Sequence, residues 1–491
     1  MSPRLLLALA LFILPAAPAT AEGEQPNFVF ILVDDLGWRD LGCYGSNFYE
    51  TPSIDGLAAE GVRFTQAYAA CPVCSPTRAS ILTGKYPQRV GITDYISPSG
   101  GNQPHKWNRN TKLMPAAYAD HLALEELTLA ERLKKDGYAT SFAGKWHLGS
   151  EGFYPEDQGF DHNFGGYESG GPYGGKKYFS PYGNPRLSDG PAGEHLPARL
   201  AEETSKFIEV NKDGKFLAYL SFYSVHTPLI ARDDLIAKYQ AKARTIGFAG
   251  PRWIMDGFRL ARQEQDHAVY AGMVEAMDQA VGRVLRALEE NDLADNTVVF
   301  LMSDNGGLST SEGSPTSNLP LRGGKGWMYE GGIREPMIVR GHGGSGRVEH
   351  EPVTSVDFLP TILEMAGLGE PEEPGIDGVS LVPLLDGEEF DRGPLYWHYP
   401  HYGNQGGAPS GAIRDGRWKL IEWYEDGKLE LFDLESDPGE RYDRARQYPQ
   451  RAAEMRSRLA LWRDEVRAKM PAENKAYRDT APSGRLPGER R

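Results

Sequence analysis

Four stretches of the chain share one pattern, an apolar run that stops abruptly at polar, chemically capable side chains. Residues 27–33 (NFVFILV) end at Asp34-Asp35, and residues 297–302 (TVVFLM) lead through Ser303 into Asp304-Asn305-Gly306-Gly307. Residues 138–142 run into Gly144-Lys145-Trp146-His147, and residues 216–223 into His226-Thr227-Pro228. Short continuous apolar runs are the pattern of strands buried on both faces. Between them lie helical stretches, residues 127–135 closed by Gly137 and residues 268–290, where Val269, Met273, Met277, Val281 and Leu285 recur at helical spacing. Strands alternating with helices predict an α/β fold with a large, mostly parallel (mixed) sheet sandwiched by helices. Ligands bind beyond the carboxyl ends of such strands, so the four ends are expected to meet at one site.

After Asp377-Gly378-Val379-Ser380 the pattern changes. Asp415-Gly416 and Asp426-Gly427 separate short strand-like segments (412–414, 418–423, 429–432), which read as antiparallel hairpins. A helix over 451–469 follows, with Met455, Leu459, Trp462 and Val466 on one face. The expected division is a catalytic domain over 22–385, a smaller C-terminal antiparallel sheet plus helix over 386–480, and a mobile Pro-, Gly- and Arg-containing tail over 481–491. A chain of 491 residues exceeds the size at which one core stops growing.

The N-terminus sets the compartment. Arg4, an apolar run over 5–14 and the small residues Ala19-Thr20-Ala21 are the pattern of a cleaved secretory signal over 1–21. The run is too short to span a bilayer, so an exported protein, periplasmic or secreted and without a membrane span, is expected. Three cysteines cannot build a disulfide framework for a chain of this size. A formal charge of -15 argues against nucleic acid or an anionic membrane as partner.

Asp34, Asp35, Asp304 and Asn305 offer only oxygen ligands, which suits Ca2+, or Mg2+, rather than zinc. In Cys74-Ser75-Pro76-Thr77-Arg78, Ser75 is a good N-cap and Pro76 suits the first helical position, placing Cys74 just before a helix N-terminus with Arg78 one turn in. Such a position favours an anionic group. Taken alone, Cys71-Pro72-Val73-Cys74 is also open to a redox or metal half-site reading. Cys71 is a small buried residue or a partner for Cys43.

The run C-S-P-T-R followed by A-S-I-L-T-G-K resembles the signature of the type I sulfatases, members of the alkaline phosphatase superfamily. The resemblance extends through V-D-D-L-G near residue 35, G-K-W-H-L-G at 144–149, H-T-P at 226–228, S-D-N-G-G at 303–307 and G-G-K-G at 323–326, in the family's order. Thr77 stands where Ser or Ala is commoner. The resemblance implies an alkaline-phosphatase-like fold and oxidation of Cys74 to formylglycine by a formylglycine-generating or sulfatase-maturating enzyme. It implies Ca2+ held by Asp34, Asp35, Asp304, Asn305 and the modified Cys74. One hydroxyl of the hydrated aldehyde would attack sulfur and the other would break the enzyme-sulfate bond. Arg78 would activate the nucleophile, Lys145 and Lys325 would clamp the sulfuryl oxygens, His226 would protonate the leaving oxygen and His147 would hold or deprotonate the second hydroxyl.

Two stretches, 97–109 (SPSGGNQPHKWNR) and 397–407 (WHYPHYGNQGG), read as pocket walls for a sugar or, equally, as an aromatic cluster packed at a domain seam. His105, His398 and His401 are their candidate contacts, and Ser169 is a candidate hydroxyl for the sulfate site. The substrate expected by analogy is a sulfated carbohydrate of galactose or N-acetylgalactosamine type. The alternatives are a broad arylsulfatase, a phosphodiester or phosphonate monoester hydrolase of the same superfamily, and a catalytically idle glycan-binding protein.

Overall fold

The computed structural model describes residues 25–479 other than 98, 249, 370 and 372; the expected signal and tail lie outside the described residues. The strand Asn27–Val33 is buried along its whole length. Its pleat sends Val29, Ile31 and Val33 into one hydrophobic core and Phe28, Phe30 and Leu32 into another. Each such side chain contributes about 1.5–3 kcal/mol when fully buried, and a strand with two dry faces needs apolar residues at every position.

This strand lies inside a nine-stranded sheet among the described residues. Thr297–Ser303 and Phe216–Ser221 flank it in parallel, and Ala139–Gly144 and His162–Phe164 continue the parallel set. On the other side Arg334–Arg340 runs antiparallel between Thr297–Ser303 and Val62–Tyr68. The short strands Arg347–Glu349 and Val353–Thr354 pair in parallel with Val62–Tyr68. The sheet is therefore mixed, with one reversed strand.

Register decides what the sheet can do. Val33 pairs with Ser303, while Ser221 pairs with both Leu32 and Gly144. The segments beginning at Asp34, Asp304, Phe222 and Lys145 thus leave four adjacent parallel strands at one level. Helices Leu196–Val210 and Ala268–Glu290 cover one face through Leu200, Phe207, Met273, Met277 and Val281. Cys74–Thr83, Leu129–Lys135 and Phe358–Met365 cover the other through Ile81, Leu133 and Ile362. The helix expected at 127–135 begins at Leu129 because Thr128 caps it. Its Oγ1 accepts from Glu131 N–H at 3.2 Å, and the Glu131 carboxylate accepts from Thr128 N–H at 2.8 Å.

The C-terminal sheet is antiparallel, in the order Leu395–Tyr399, Ser410–Asp415, Trp418–Trp423, Leu429–Asp433. Helix Pro449–Glu465 packs Met455, Leu459 and Trp462 on one of its faces, against Ile413, Leu420 and Leu431. The expected helix over 451–469 stops earlier, at the C-cap Val466, and Arg467 turns left-handed. The other face of the small sheet packs against Tyr68, Trp327 and Tyr329. Lys419, fully buried, joins the two layers through ion pairs with Glu330 and Glu440 at 2.9 Å each.

Candidate active site

Beyond the four strand ends the three acids Asp34, Asp35 and Asp304 are completely buried, and three cations stand against them. Lys145 Nζ lies 2.7 Å from Asp34 Oδ2, and Lys325 Nζ lies 2.6 and 2.8 Å from the two oxygens of Asp35. Arg78 Nε and Nη2 lie 2.9 and 2.7 Å from Asp304 Oδ2. Asn305 Nδ2 donates to Asp35 Oδ1 at 2.7 Å, and Asp35 N–H donates to Asp304 Oδ1 at 3.2 Å. Burial, with Asp304 and Asp35 alongside, pushes the Asp34 carboxyl well up against the pull of Lys145 and Arg78. Burial works the same way on Asp35, but Lys325, His226 and Lys145 outweigh it and hold that carboxyl down to about 2.

The fit to a hard cation rests on two orphaned atoms. Asp34 Oδ1 and Asn305 Oδ1 are buried and make no hydrogen bond, although such groups are normally satisfied. The Asp34 and Asp304 carboxylates and Cys74 Sγ bring one atom each within 4.8 Å of one another. The oxygens of Asp34, Asp35, Asp304 and Asn305 suit a hard cation such as Ca2+ or Mg2+ better than zinc.

Cys74 opens the helix Cys74–Thr83 as its first residue, with Val73 as N-cap. This corrects the expected start by two positions, from Pro76 to Cys74. Ser75 does not cap, because its Oγ accepts from Ile96 N–H at 3.0 Å. Arg78, one turn on, donates from Nη1 to Lys145 O and Ser221 Oγ, both at 2.7 Å. The guanidinium thereby ties the cysteine helix to two strand ends. Gly144 is required before Lys145: its φ is 108°, and a Cβ there would sit 1.8 Å from Ser221 O. Burial holds the Cys71 and Cys74 thiols above their ordinary range, and Cys43, Cys71 and Cys74 are all free. Thiols so placed lack the thiolate character of a redox pair.

Cys74, His147, His226 and Lys325 line a cleft of about 260 Å³. The His147 imidazole donates from Nε2 to Ile96 O at 2.6 Å, which leaves Nδ1 buried with its lone pair unpartnered. His226 donates from Nδ1 to Thr227 O at 2.7 Å, so Nε2 faces Asp35 Oδ2 at 3.7 Å. Burial and Lys145 push His147 well down; burial and Lys325, against the pull of Asp35, hold His226 at about 4. Asp35 and His147 have φ near 60°, a left-handed conformation that costs about 1–3 kcal/mol in a non-glycine residue and concentrates at functional sites.

Other expected contacts lie elsewhere. Lys145 is wholly buried on Asp34, behind the cleft wall. The Ser169 hydroxyl donates to Gly171 O at 2.7 Å, and its neighbour Gly170 lines the cleft instead. His105 is exposed on the short turn Pro104–Lys106. His398 belongs to the strand Leu395–Tyr399, bonded to Tyr424 Oη at 2.6 Å and Lys469 O at 3.0 Å. His401 is fully buried, bonded to Thr93 Oγ1 at 2.8 Å between the rings of Tyr118 and Tyr399. His398 is buried because the first three residues of that wall, 397–399, are strand, and His401 just beyond it is buried among the Tyr118 and Tyr399 rings. Among the described residues of the two expected walls, Ser97, Asn404 and Gln405 reach the cleft, joined by Tyr95, Ile96, Tyr173 and Glu312.

A family model described as Sulfatase matches residues 26–368, and one described as N-sulphoglucosamine sulphohydrolase, C-terminal, matches residues 324–465. A curated protein named Sulfatase from Formosa agariphila is 32% identical over 515 residues, covering 89% of each chain. Human N-acetylgalactosamine-6-sulfatase is 34% identical over 387 residues, covering 77% of this chain and 69% of the human protein. The solved structure of Ps i-CgsB in complex with k-i-k-neocarrahexaose superimposes with a TM-score of 0.71 at 28% identity, covering 89% of this chain and 93% of that one.

Proposed function

The chain belongs to the sulfatase family and hydrolyses sulfate esters, and from that premise we propose that it releases sulfate from a galactose- or N-acetylgalactosamine-type carbohydrate. The nucleophile is formylglycine made from Cys74 by a maturating enzyme, beside Ca2+ held by Asp34, Asp35, Asp304 and Asn305. The observation that carries this reading is the convergence of Cys74 and two histidines in one cleft, with three buried acids against Cys74 and His226. The substrate class is supported by relatives named for N-acetylgalactosamine 6-sulfate and by a structural neighbour holding a neocarrahexaose. Residues 1–21 are proposed as the export signal, 22–385 as the catalytic domain and 386–480 as its C-terminal subdomain. No helix among the described residues is long and apolar enough to cross a membrane.

When bound, the cation supplies positive charge that favours a deprotonated nucleophilic oxygen. The hydrated aldehyde supplies two hydroxyls on one carbon, one to attack sulfur and one to allow release. The chain's own groups do the rest. Arg78 is held rigid by Asp304, Ser221 and the Lys145 carbonyl, so its charge is fixed beside residue 74. Lys325 lines the cleft and faces the sulfuryl oxygens, while Lys145 adds charge from behind Asp34. His226 presents Nε2, from which a proton passes to the leaving oxygen. The anionic ester drawn in beside it raises its affinity for that proton. His147, fixed by Ile96 O, offers Nδ1 to take a proton from the second hydroxyl.

Release of inorganic sulfate from galactose and N-acetylgalactosamine sulfates tests the reading; hydrolysis of aryl sulfates alone would assign a broad arylsulfatase instead. His226→Ala should lower kcat/KM for the sugar sulfates by about 10²–10⁴, but much less for an aryl sulfate whose leaving group needs no proton. Equal losses on both would remove the acid role.

A further inference from the structure

A carboxylate stands in the wall of this anion-binding cleft, where no sulfate-binding role calls for one. Glu312 sits in the loop after the Asp304-Asn305 strand end, half-buried, with φ 53°, and is followed by Gly313 and Ser314, also at positive φ. A glutamate in left-handed conformation is held there by its surroundings. Its Oε1 accepts from Asn404 Nδ2 at 3.0 Å and from Gln405 Nε2 at 2.6 Å. Its Oε2 has only a long approach, 3.5 Å, from Thr227 Oγ1. Both amide residues line the cleft, and Gln405 is 4% exposed with its Oε1 unpartnered. The loop carrying them is pinned, because Gln405 O accepts from Thr310 Oγ1 and Trp327 Nε1, each at 3.0 Å. Glu312 also acts electrostatically on His226 and Lys325 at the cleft floor.

Tying two loops together does not need the charge, since a glutamine at 312 would accept from the same two amides. The negative charge matters for what else enters. A carboxylate only accepts hydrogen bonds, so its partner must donate, and it repels a second anion.

Resting on the sugar-sulfate reading above, we propose that Glu312, oriented by Asn404 and Gln405, sets specificity beyond the scissile ester. It accepts from hydroxyl or amide donors of a sugar that is otherwise neutral. It excludes substrates bearing another sulfate or a carboxylate at that position.

The test is equilibrium titration of the full-length, Ca2+-loaded protein with Cys74 unconverted, so that nothing turns over. The probes are N-acetylgalactosamine 6-sulfate and N-acetylgalactosamine 4,6-disulfate. The native protein should bind the monosulfate at least about tenfold more tightly, and Glu312→Gln should reduce that ratio by about tenfold, mainly by admitting the disulfate. Added salt should shrink the ratio in the native protein and hardly change it in the variant, which a purely structural role would not produce. A ratio identical in native and Glu312→Gln proteins, or a native preference for the disulfate, overturns the inference. Because affinity is read without turnover, this outcome is separate from sulfate release, which tests the reading on which it rests.

Discussion

Replacing Cys74 with alanine is expected to abolish sulfate release, with a loss of about 10⁴-fold or more. Cys74 is 3% exposed at the first position of its helix, and alanine is smaller and a strong helix former, so the fold should survive. The melting temperature should therefore stay close to that of the native protein while activity is lost. Cys74→Ser should be equally slow in steady state, because a single hydroxyl on that carbon can attack but leaves no second hydroxyl to expel sulfate. Every other residue of the site would be intact in both variants. Their failure would isolate the nucleophile, whereas a Cys74→Ala protein retaining more than a small residue of activity would contradict the assignment.

Removing the metal should have the second largest effect. The acids Asp34, Asp35 and Asp304 are already opposed one to one by Lys145, Lys325 and Arg78. The metal-free protein should consequently remain folded. What it lacks is net positive charge to meet an anionic ester and a deprotonated nucleophile together, and a divalent ion bound at Asp34 Oδ1 and Asn305 Oδ1 would supply it. Chelation should lower kcat by about 10³-fold, through loss of charge stabilisation of the nucleophile and the sulfuryl group. It should also lower the melting temperature, since a ligand at a hundred times its Kd adds about 2.7 kcal/mol to the folded state. Ca2+ should restore both properties and Zn2+ neither. Full activity after exhaustive chelation would show that the acid cluster holds no functional cation.

Much of this architecture was legible in the chain, for identifiable reasons. A strand with two dry faces must be apolar throughout, so residues 27–33 and 297–302 marked themselves, and the acids that followed marked the site. The sequence did not show that Val33, Ser303, Ser221 and Gly144 lie at one level of the sheet, since register is a property of pairing. The capping box at Thr128 and Glu131 was readable and would have placed that helix start correctly. The stretch 397–407 was open to two readings, a sugar wall or a packed aromatic cluster, because aromatic and imidazole groups suit both, and its first residues belong to the strand Leu395–Tyr399. Its β-forming residues pair with Ser410–Asp415, which buries His398. Tyr95, Tyr173 and Glu312 carried no periodic signal at all. They reach the cleft from irregular loops, and only the three-dimensional path of those loops brings them to Cys74.

The account turns on the chemical state of residue 74. Its most direct test is the mass of the proteolytic peptide containing Cys74, from protein produced together with a formylglycine-generating enzyme. The predicted result is a peptide lighter by the exchange of thiol for aldehyde, in the same preparation that releases sulfate. An unmodified thiol in a preparation that is nonetheless active would contradict the proposed nucleophile outright.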